Sequence, residues 1–206
     1  RMRLRISPEV GVSFELLNHY PTDQEGRFIL PDLAYGADVW ALLKIKVTKS
    51  LCEAARGSSL RLLTSTIDFI DPDGNEVRTD PSVMTIELHS PDAYAELMVD
   101  ETVQQRSIEL RAATLHEQAH AAASDGDWVR IDQIMEELEQ LGEGNAWLKA
   151  SIRRMRVYSR TRRRDDFSKE ARYKSDRMRR RSVSRYEEMD SYSEASESAQ
   201  PSYLRR

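Results

Sequence analysis

Cysteine is almost absent, since Cys52 is the only one among 206 residues. A single thiol excludes a disulfide within the chain and a zinc site built on several cysteines. No apolar run approaches the roughly 18 residues that a membrane span requires, and the first residues lack the apolar core of a signal peptide. The chain begins on Arg1 rather than on methionine, which suggests a piece of a longer protein. We expect a protein without a membrane span and a cytoplasmic location.

Glycine is scarce as well, and its eight residues are scattered singly along the chain. This excludes a glycine-rich loop of the kind that holds phosphate groups. Charge is plentiful, but the net charge of -4 conceals an uneven division. Residues 1–152 carry 14 basic and 26 acidic side chains, whereas residues 153–185 carry 15 basic and four acidic ones. An acidic body is therefore followed by a segment that we call the basic arm, residues 153–185.

Residues 1–91 show the period-two alternation that is typical of β-strands. Apolar and polar residues alternate over residues 2–6, 10–16 and 39–47. Turn residues separate such runs at short intervals without a helical pattern between them, which predicts an antiparallel β-sandwich. Because only six or seven strands are available, we expect a preceding part of the protein to supply another. The residues expected to supply much of the core are Phe14, Leu16, Val39, Ala41, Leu43, Ile45, Leu60, Leu62, Ile67 and Ile86.

The period changes at Ser90-Pro91-Asp92, and residues 92–185 follow a helical pattern. Gly126 and Asp127 fit the end of one helix and the start of the next, which predicts a helical hairpin. The Ser-rich segment 186–206 is predicted to be a disordered tail, because it has too few apolar residues to form a core. The expected fold class is therefore α+β. The inward stripe of the first long helix is expected at Val103, Ile108, Ala112, Leu115, Ala119 and Ala122.

The segment His116-Glu117-Gln118-Ala119-His120 matches the pattern H-E-x-x-H. On a helix, residues four positions apart share a face, so both imidazoles could hold a zinc ion while Glu117 acts as general base. No Gly-x-x-His continuation and no further ligand helix follow. We therefore favour polar residues that flank an apolar stripe, with no catalytic residue and no cofactor. A zinc metallopeptidase-like site at His116, Glu117 and His120 is the alternative.

The basic arm also allows two interpretations. Its 15 cations could bind the phosphates of a nucleic acid with strong salt dependence. Alternatively, the apolar residues of the arm pack on the acidic helices near Glu136, Glu137 and Glu139, or on the acidic surface of a partner, while the charges orient the arm. These apolar residues are Met155, Tyr158, Phe167, Tyr173 and Met178. We favour this second interpretation, because a nucleic-acid tail needs no apolar spacing. The arm residues assigned to the interaction are Arg153, Arg154, Arg156, Arg160, Arg162, Arg163, Arg164, Arg179, Arg180 and Arg181.

Short motifs along the chain carry a family resemblance. In the first half they are the strand Arg1–Ile6 leading into Gly11–Glu15, the turn Asp32-Leu33-Ala34-Tyr35-Gly36 and the strand Trp40–Val47. In the second half they include an Ala-rich helix and the turn Gly126-Asp127-Trp128. These motifs resemble the β-sandwich and helical region that follow the von Willebrand factor A (VWA) domain in multidomain, mostly bacterial proteins. The metal-binding Asp-x-Ser-x-Ser motif of the A domain is absent, so the resemblance implies no functional residue.

The residues and the resemblance together predict a non-catalytic accessory module that binds other proteins. The resemblance implies that a VWA domain is among its partners. Nucleic acid is the less favoured partner, because the charge of the basic arm nearly mirrors that of the acidic body.

Overall fold

The computed structural model describes residues 2–32, 38–55 and 58–180. Antiparallel strands come first and helices follow, which confirms the predicted α+β class. The predicted tail 186–206, Arg181 and the turn at 33–37 lie outside the described residues. The elements are β1 (Met2–Pro8), β2 (Val12–Leu16), β3 (Phe28–Leu30), β4 (Leu43–Val47), α1 (Lys49–Ala54), β5 (Ser59–Ile70), β6 (Glu76–Arg78), β7 (Ser82–Glu87), α2 (Pro91–Ala95), α3 (Glu101–Asp125), α4 (Trp128–Leu141), α5 (Ala146–Arg160) and α6 (Arg164–Arg180).

The chain divides into two compact units. Residues 2–32 and 39–101 form the first, which we call the sheet unit, and residues 102–180 belong to the second, the helical unit. No helix in the described part of the chain is both long and apolar enough to cross a membrane.

Two antiparallel sheets build the sheet unit. The larger has the order β3-β1-β5-β6, with β7 also paired to β5, and the smaller is the pair β2-β4. The registers place Leu4 opposite Ile67 and Phe14 opposite Ile45. Alternate residues point to one face of each sheet, so the apolar faces can pack against each other.

The core of the sheet unit lies between these two faces. Leu4 of β1, Leu16 of β2 and Leu30 of β3 share one buried cluster, and Val12 of β2 shares a second with Leu62 of β5. Residues from both sheets in one cluster mean that the sheets pack face to face, as the predicted sandwich requires. Of the expected core residues, Leu16, Leu60 and Leu62 are buried, and Phe14, Val39, Leu43, Ile45 and Ile67 are half-buried.

Two of the expected core residues are exposed, and the prediction for them was wrong. Ala41 is exposed, because the strand predicted from Val39 begins only at Leu43. Just before Leu43 the backbone has a different hydrogen-bond partner, since the amide of Leu42 donates to the Asn18 side chain at 2.8 Å. Ile86 is 37% exposed on β7, although its neighbour Leu60 on β5 is only 7% exposed.

Four helices, α3 to α6, form the core of the helical unit. The cluster contains Ala112, Leu115 and Ala119 of the predicted stripe, together with residues from the three later helices. Val103 is 48% exposed, so the prediction began the inward stripe too close to the N-terminus of α3. The first five residues of α3 are all exposed, and burial begins at Glu109.

Two turns between helices have the same backbone geometry. After α3, Gly126 has φ 74°, the Asp127 amide donates to Ala122 O at 2.9 Å and the Gly126 amide donates to Ala123 O at 3.1 Å. This is the pattern of a Schellman motif, which favours glycine at the left-handed position. After α5, Arg162 occupies the corresponding position with φ 53°. The Asp127 side chain then caps α4 by accepting from the Arg130 amide at 2.9 Å.

The first testable prediction concerns the core of the sheet unit. Leu62 is 3% exposed, so Leu62→Ala leaves a cavity and is expected to lower the unfolding free energy by about 3 kcal/mol. Hydrogen exchange of the β5 amides measures this change within the sheet unit. Val10→Ala is the control, because Val10 is 95% exposed and its truncation should cost less than about 0.5 kcal/mol. Equal protection in the two variants would contradict the placement of Leu62.

Candidate functional site

His116, the first residue of the H-E-x-x-H match, lies inside the core of the helical unit. Its side chain is 0% exposed, and neither ring nitrogen has a hydrogen-bond partner. Burial, together with the positive charge of Lys174, lowers the pKa of His116 from 6.5 to about 3. A proton on this imidazole is disfavoured, because the charged ring would lose its hydration without gaining a partner.

The other two residues of the match contact α6. Glu117 accepts a hydrogen bond from the guanidinium of Arg179 and forms an ion pair with it. His120 Nδ1 lies 2.8 Å from Ser168 Oγ and 3.1 Å from Ser168 O. Both residues therefore connect α3 to α6, which sequence spacing alone did not predict.

No cluster in the described part of the chain has the composition of a metal site. Within residues 2–32, 38–55 and 58–180, no three His, Cys, Asp or Glu side chains come close enough together to hold an ion. His116 and His120 lie four positions apart on α3, and Glu117 pairs with Arg179. The structure thus gives these three side chains a packing role between two helices.

A buried ion pair next to His116 was missed from the sequence. Glu170 is 0% exposed, and its Oε1 lies 3.3 Å from Lys174 Nζ, whose side chain is 12% exposed. Burial lowers the pKa of Lys174 to about 8, while Glu170 opposes that shift. A signal was present in the sequence: the pair lies on the same helical face as Phe167 and Ala171, which are both buried.

Apolar residues of the basic arm lie in the core, as predicted. Met155 and Phe167 are 0% exposed, Tyr158 is 5% exposed and Met178 is 3% exposed. The ring of Phe167 meets that of Trp128 edge-on, with 6.3 Å between the centroids. The side chain of Tyr173 is half-buried.

Arginines of the arm pair with the acidic face of α4. Arg156 binds Glu139 through two hydrogen bonds of 2.7 Å. These bonds lower the pKa of Glu139 and raise that of Arg156. Arg162 lies 3.3 Å from Asp132, and its guanidinium carbon is 4.9 Å from the centre of the Trp128 ring. The expected proximity of the arm to Glu139 is therefore present.

Further arm residues form contacts within the helical unit. Arg163 forms an ion pair of 2.6 Å with Asp166, and its guanidinium carbon lies 5.2 Å from the Tyr158 ring centre. Arg164 donates to Ser124 O. The sequence interpretation had assigned Arg163, Arg164 and Arg179 to an interaction with a partner. In the structure, each of them already has a contact within the helical unit.

Other arm residues point to solvent. Arg153 and Arg160 are exposed, and neither forms an ion pair in the described part of the chain, whereas Arg154 is half-buried. The side chain of Arg180 and all of Arg181 lie outside the described residues. Lys149, Arg153, Val157 and Arg160 are all exposed and fall on one face of α5. We call these four residues the outer face of α5.

A charged cavity of about 290 Å³ lies on the sheet unit. Arg3, Arg27 and Arg78 line it together with Asp68. Asp68 lies 2.5 Å from Arg78 and 3.2 Å from Arg27, and the hydrogen bond from Arg78 is the main cause that lowers the pKa of this carboxyl. These arginines are thus already paired within the sheet unit.

Comparison with known proteins adds nothing to the contacts described above, so a functional proposal has to rest on those contacts. No family model, no curated protein and no solved structure matches the chain. The three residues of the H-E-x-x-H match and the outer face of α5 are the features that a functional proposal must explain.

The second testable prediction concerns pH. The pKa of His116 is about 3 in the folded state and about 6.5 in the unfolded state, so between these values the unfolded chain binds more protons. Stability should therefore fall as the pH decreases from 6.5 toward 3, by up to about 1.4 kcal/mol per pH unit. His116→Leu should remove the contribution of His116 and leave that of Glu139, whose pKa is also lowered in the folded protein. Urea unfolding followed by the helical circular dichroism signal at several pH values measures the difference from the unmodified protein.

His89→Leu is the matched control for that series. His89 has a side chain 39% exposed in the sheet unit, so the variant should keep the pH dependence of the unmodified helical unit. Parallel stability curves for His116→Leu and the unmodified protein would show that His116 is not buried in its neutral form.

Proposed function

We propose that this chain is a non-catalytic, cytoplasmic protein-interaction module, of the kind that accompanies a VWA domain. The observation that carries the proposal is where the side chains of His116, Glu117 and His120 lie in the helical unit. His116 is enclosed in the core, Glu117 pairs with Arg179, and His120 binds Ser168. For zinc chemistry, His116 would have to leave the core and Glu117 would have to leave its guanidinium partner.

The cost of breaking these contacts supports the proposal. A catalytic zinc needs neutral imidazoles and an open coordination position for water. Rotating His116 out of the core would leave a void among buried residues, which typically costs several kcal/mol. A base at Glu117 would also have to leave the guanidinium of Arg179. Short family-like motifs in the sequence support the VWA association.

The outer face of α5 supports a protein partner with an acidic surface. Three cations surround Val157, which is 53% exposed. A cationic rim around an apolar side chain matches the usual composition of protein interfaces, in which charge orients the partner and apolar contact supplies affinity. A VWA domain is the partner that the family resemblance favours.

The third testable prediction concerns zinc. Purified protein should contain far less than one zinc ion per chain by elemental analysis, and addition of zinc should leave its thermal unfolding unchanged. His120→Gln is the variant to compare, because His120 is half-buried and its loss should leave the zinc content unchanged. Stoichiometric zinc that is lost in His120→Gln, with peptidase activity abolished by Glu117→Gln, would establish the metallopeptidase alternative.

The fourth testable prediction concerns what holds the basic arm. Phe167→Ala should lower the unfolding free energy by about 3–5 kcal/mol and expose α6 to protease, because Phe167 is 0% exposed. Arg162→Gln should cost no more than about 1 kcal/mol, because both side chains of its pair with Asp132 are half-exposed. Limited proteolysis and urea unfolding measure the two effects.

Binding to nucleic acid is the outcome that would contradict this role for the arm. A labelled 20-nucleotide DNA or RNA should show no tight binding near physiological salt. Tight binding that falls steeply with salt, and that is lost when Arg162, Arg163 and Arg164 are changed to Gln, would assign the arm to nucleic acid instead.

A further inference from the structure

Strand β7 is the longest free sheet edge in the described part of the sheet unit without a charge inside it. The edge strand β4 carries Lys44 and Lys46, and β2 carries Glu15. β3 and β6 have only three residues each. Interior charges and short length are common protections against pairing with another chain. β7 has six residues, and its only charge, Glu87, is at its end.

The side chains of β7 continue the apolar core face beyond the region that is covered. Met84 lies opposite Leu63 and Ile86 lies opposite Leu60 in the β5–β7 register. Leu63 and Leu60 are 2% and 7% exposed, whereas Met84 and Ile86 are 44% and 37% exposed. On β7, therefore, the same face of the sheet is no longer buried by other side chains.

We propose that the edge of β7 pairs with β7 of a second copy of this chain. Antiparallel pairing about a two-fold axis lets one strand serve as its own partner, and every favourable contact then occurs twice. An axis perpendicular to the sheet keeps the core faces of both copies on one side. Such an axis requires that residues opposite each other come from the same face of the strand.

The register centred on Thr85 suits the sequence of β7 best. It places Thr85 opposite Thr85, Met84 opposite Ile86 and Val83 opposite Glu87. The exposed Met84 and Ile86 of both copies then form one apolar patch of four side chains on the core face. A register centred on Met84 would instead place Ile86 opposite Ser82 and leave that apolar contact unmade.

The charges near β7 are complementary in the same register. No like charges face each other, since Glu87 lies opposite Val83. If the pairing continues past the strand, His89 lies opposite Pro81 and therefore beside Asp80 of the second copy. This self-complementarity favours a second copy over an unrelated partner. The proposal goes beyond the proposed function and does not depend on the H-E-x-x-H residues or the basic arm.

Charge reversal at the symmetry axis tests the pairing. Thr85→Lys and Thr85→Glu each place like charges directly opposite each other, which destabilises a strand pair. Sedimentation equilibrium should find the unmodified chain at twice its mass of 23.8 kDa, and each variant at the mass of one chain, with a dimer dissociation constant raised at least about tenfold. Mixing the two variants should restore the dimer, because lysine then faces glutamate.

The control is Ile29→Lys on β3, the opposite edge of the same sheet. Ile29 is 36% exposed, so a lysine there adds the same charge to another edge strand and should leave the dimer intact. Circular dichroism verifies that each variant is folded. If the charged variants fail to fold, Thr85→Cys in a Cys52→Ser background is the second test, since the axis would bring the two thiols together and oxidation should yield a covalent dimer.

Each other result would overturn the proposal. An unmodified chain that stays monomeric up to high micromolar concentration would exclude the dimer. A dimer that persists in Thr85→Lys would place the interface elsewhere. A mixture of the two charged variants that remains monomeric, or Thr85→Cys that does not crosslink, would exclude the register centred on Thr85.

Discussion

Burial of one face of α6 is the constraint on which the helical unit depends. The helix carries many charges, yet Phe167, Glu170 and Ala171 are all 0% exposed. Exposed ion pairs contribute only about 0–1 kcal/mol each, so the arginine contacts of the arm cannot by themselves hold α6 in place. The apolar contacts fix where the helix lies, and the ion pair of Arg179 with Glu117 contributes to its orientation against α3. The residues of the H-E-x-x-H match belong to this contact between α3 and α6.

The buried pair of Glu170 and Lys174 adds a desolvation free energy that opposes the packing of α6. Moving two charges out of water costs several kcal/mol for each ion, and their attraction offsets this only in a favourable geometry. Because His116 beside Lys174 is neutral, the interior does not hold a cation that lacks a carboxylate partner. The ionic part of this core is therefore tightly constrained, because changing one of the three groups alters the electrostatic environment of the others.

Much of the fold could be predicted because the spacing of apolar residues along a strand or helix indicates which of its faces is buried. The period change predicted at Ser90-Pro91-Asp92 is where α2 begins, and the break predicted at Gly126 and Asp127 separates α3 from α4. Prediction failed where a distant residue decides the outcome. The alternation at residues 39–42 continues that of β4, but the Leu42 amide donates to the Asn18 side chain instead of to a strand partner. His116 was expected beside the apolar stripe and lies within it, because three other helices surround that part of α3. The pairing of Glu117 with Arg179 joins residues 62 positions apart, and no local pattern records such a contact.

The turn between α5 and α6 shows how side-chain contacts can offset a cost in the backbone. Arg162 has φ 53°, a conformation that costs a residue with a Cβ atom roughly 1 kcal/mol and that glycine adopts freely. At the matching turn after α3, the chain has Gly126. Glycine at position 162 would relieve the backbone but would give up both the carboxylate of Asp132 and the ring of Trp128. Arg162→Gly would therefore change the stability of the helical unit little, while it would remove the cation from the face of Trp128.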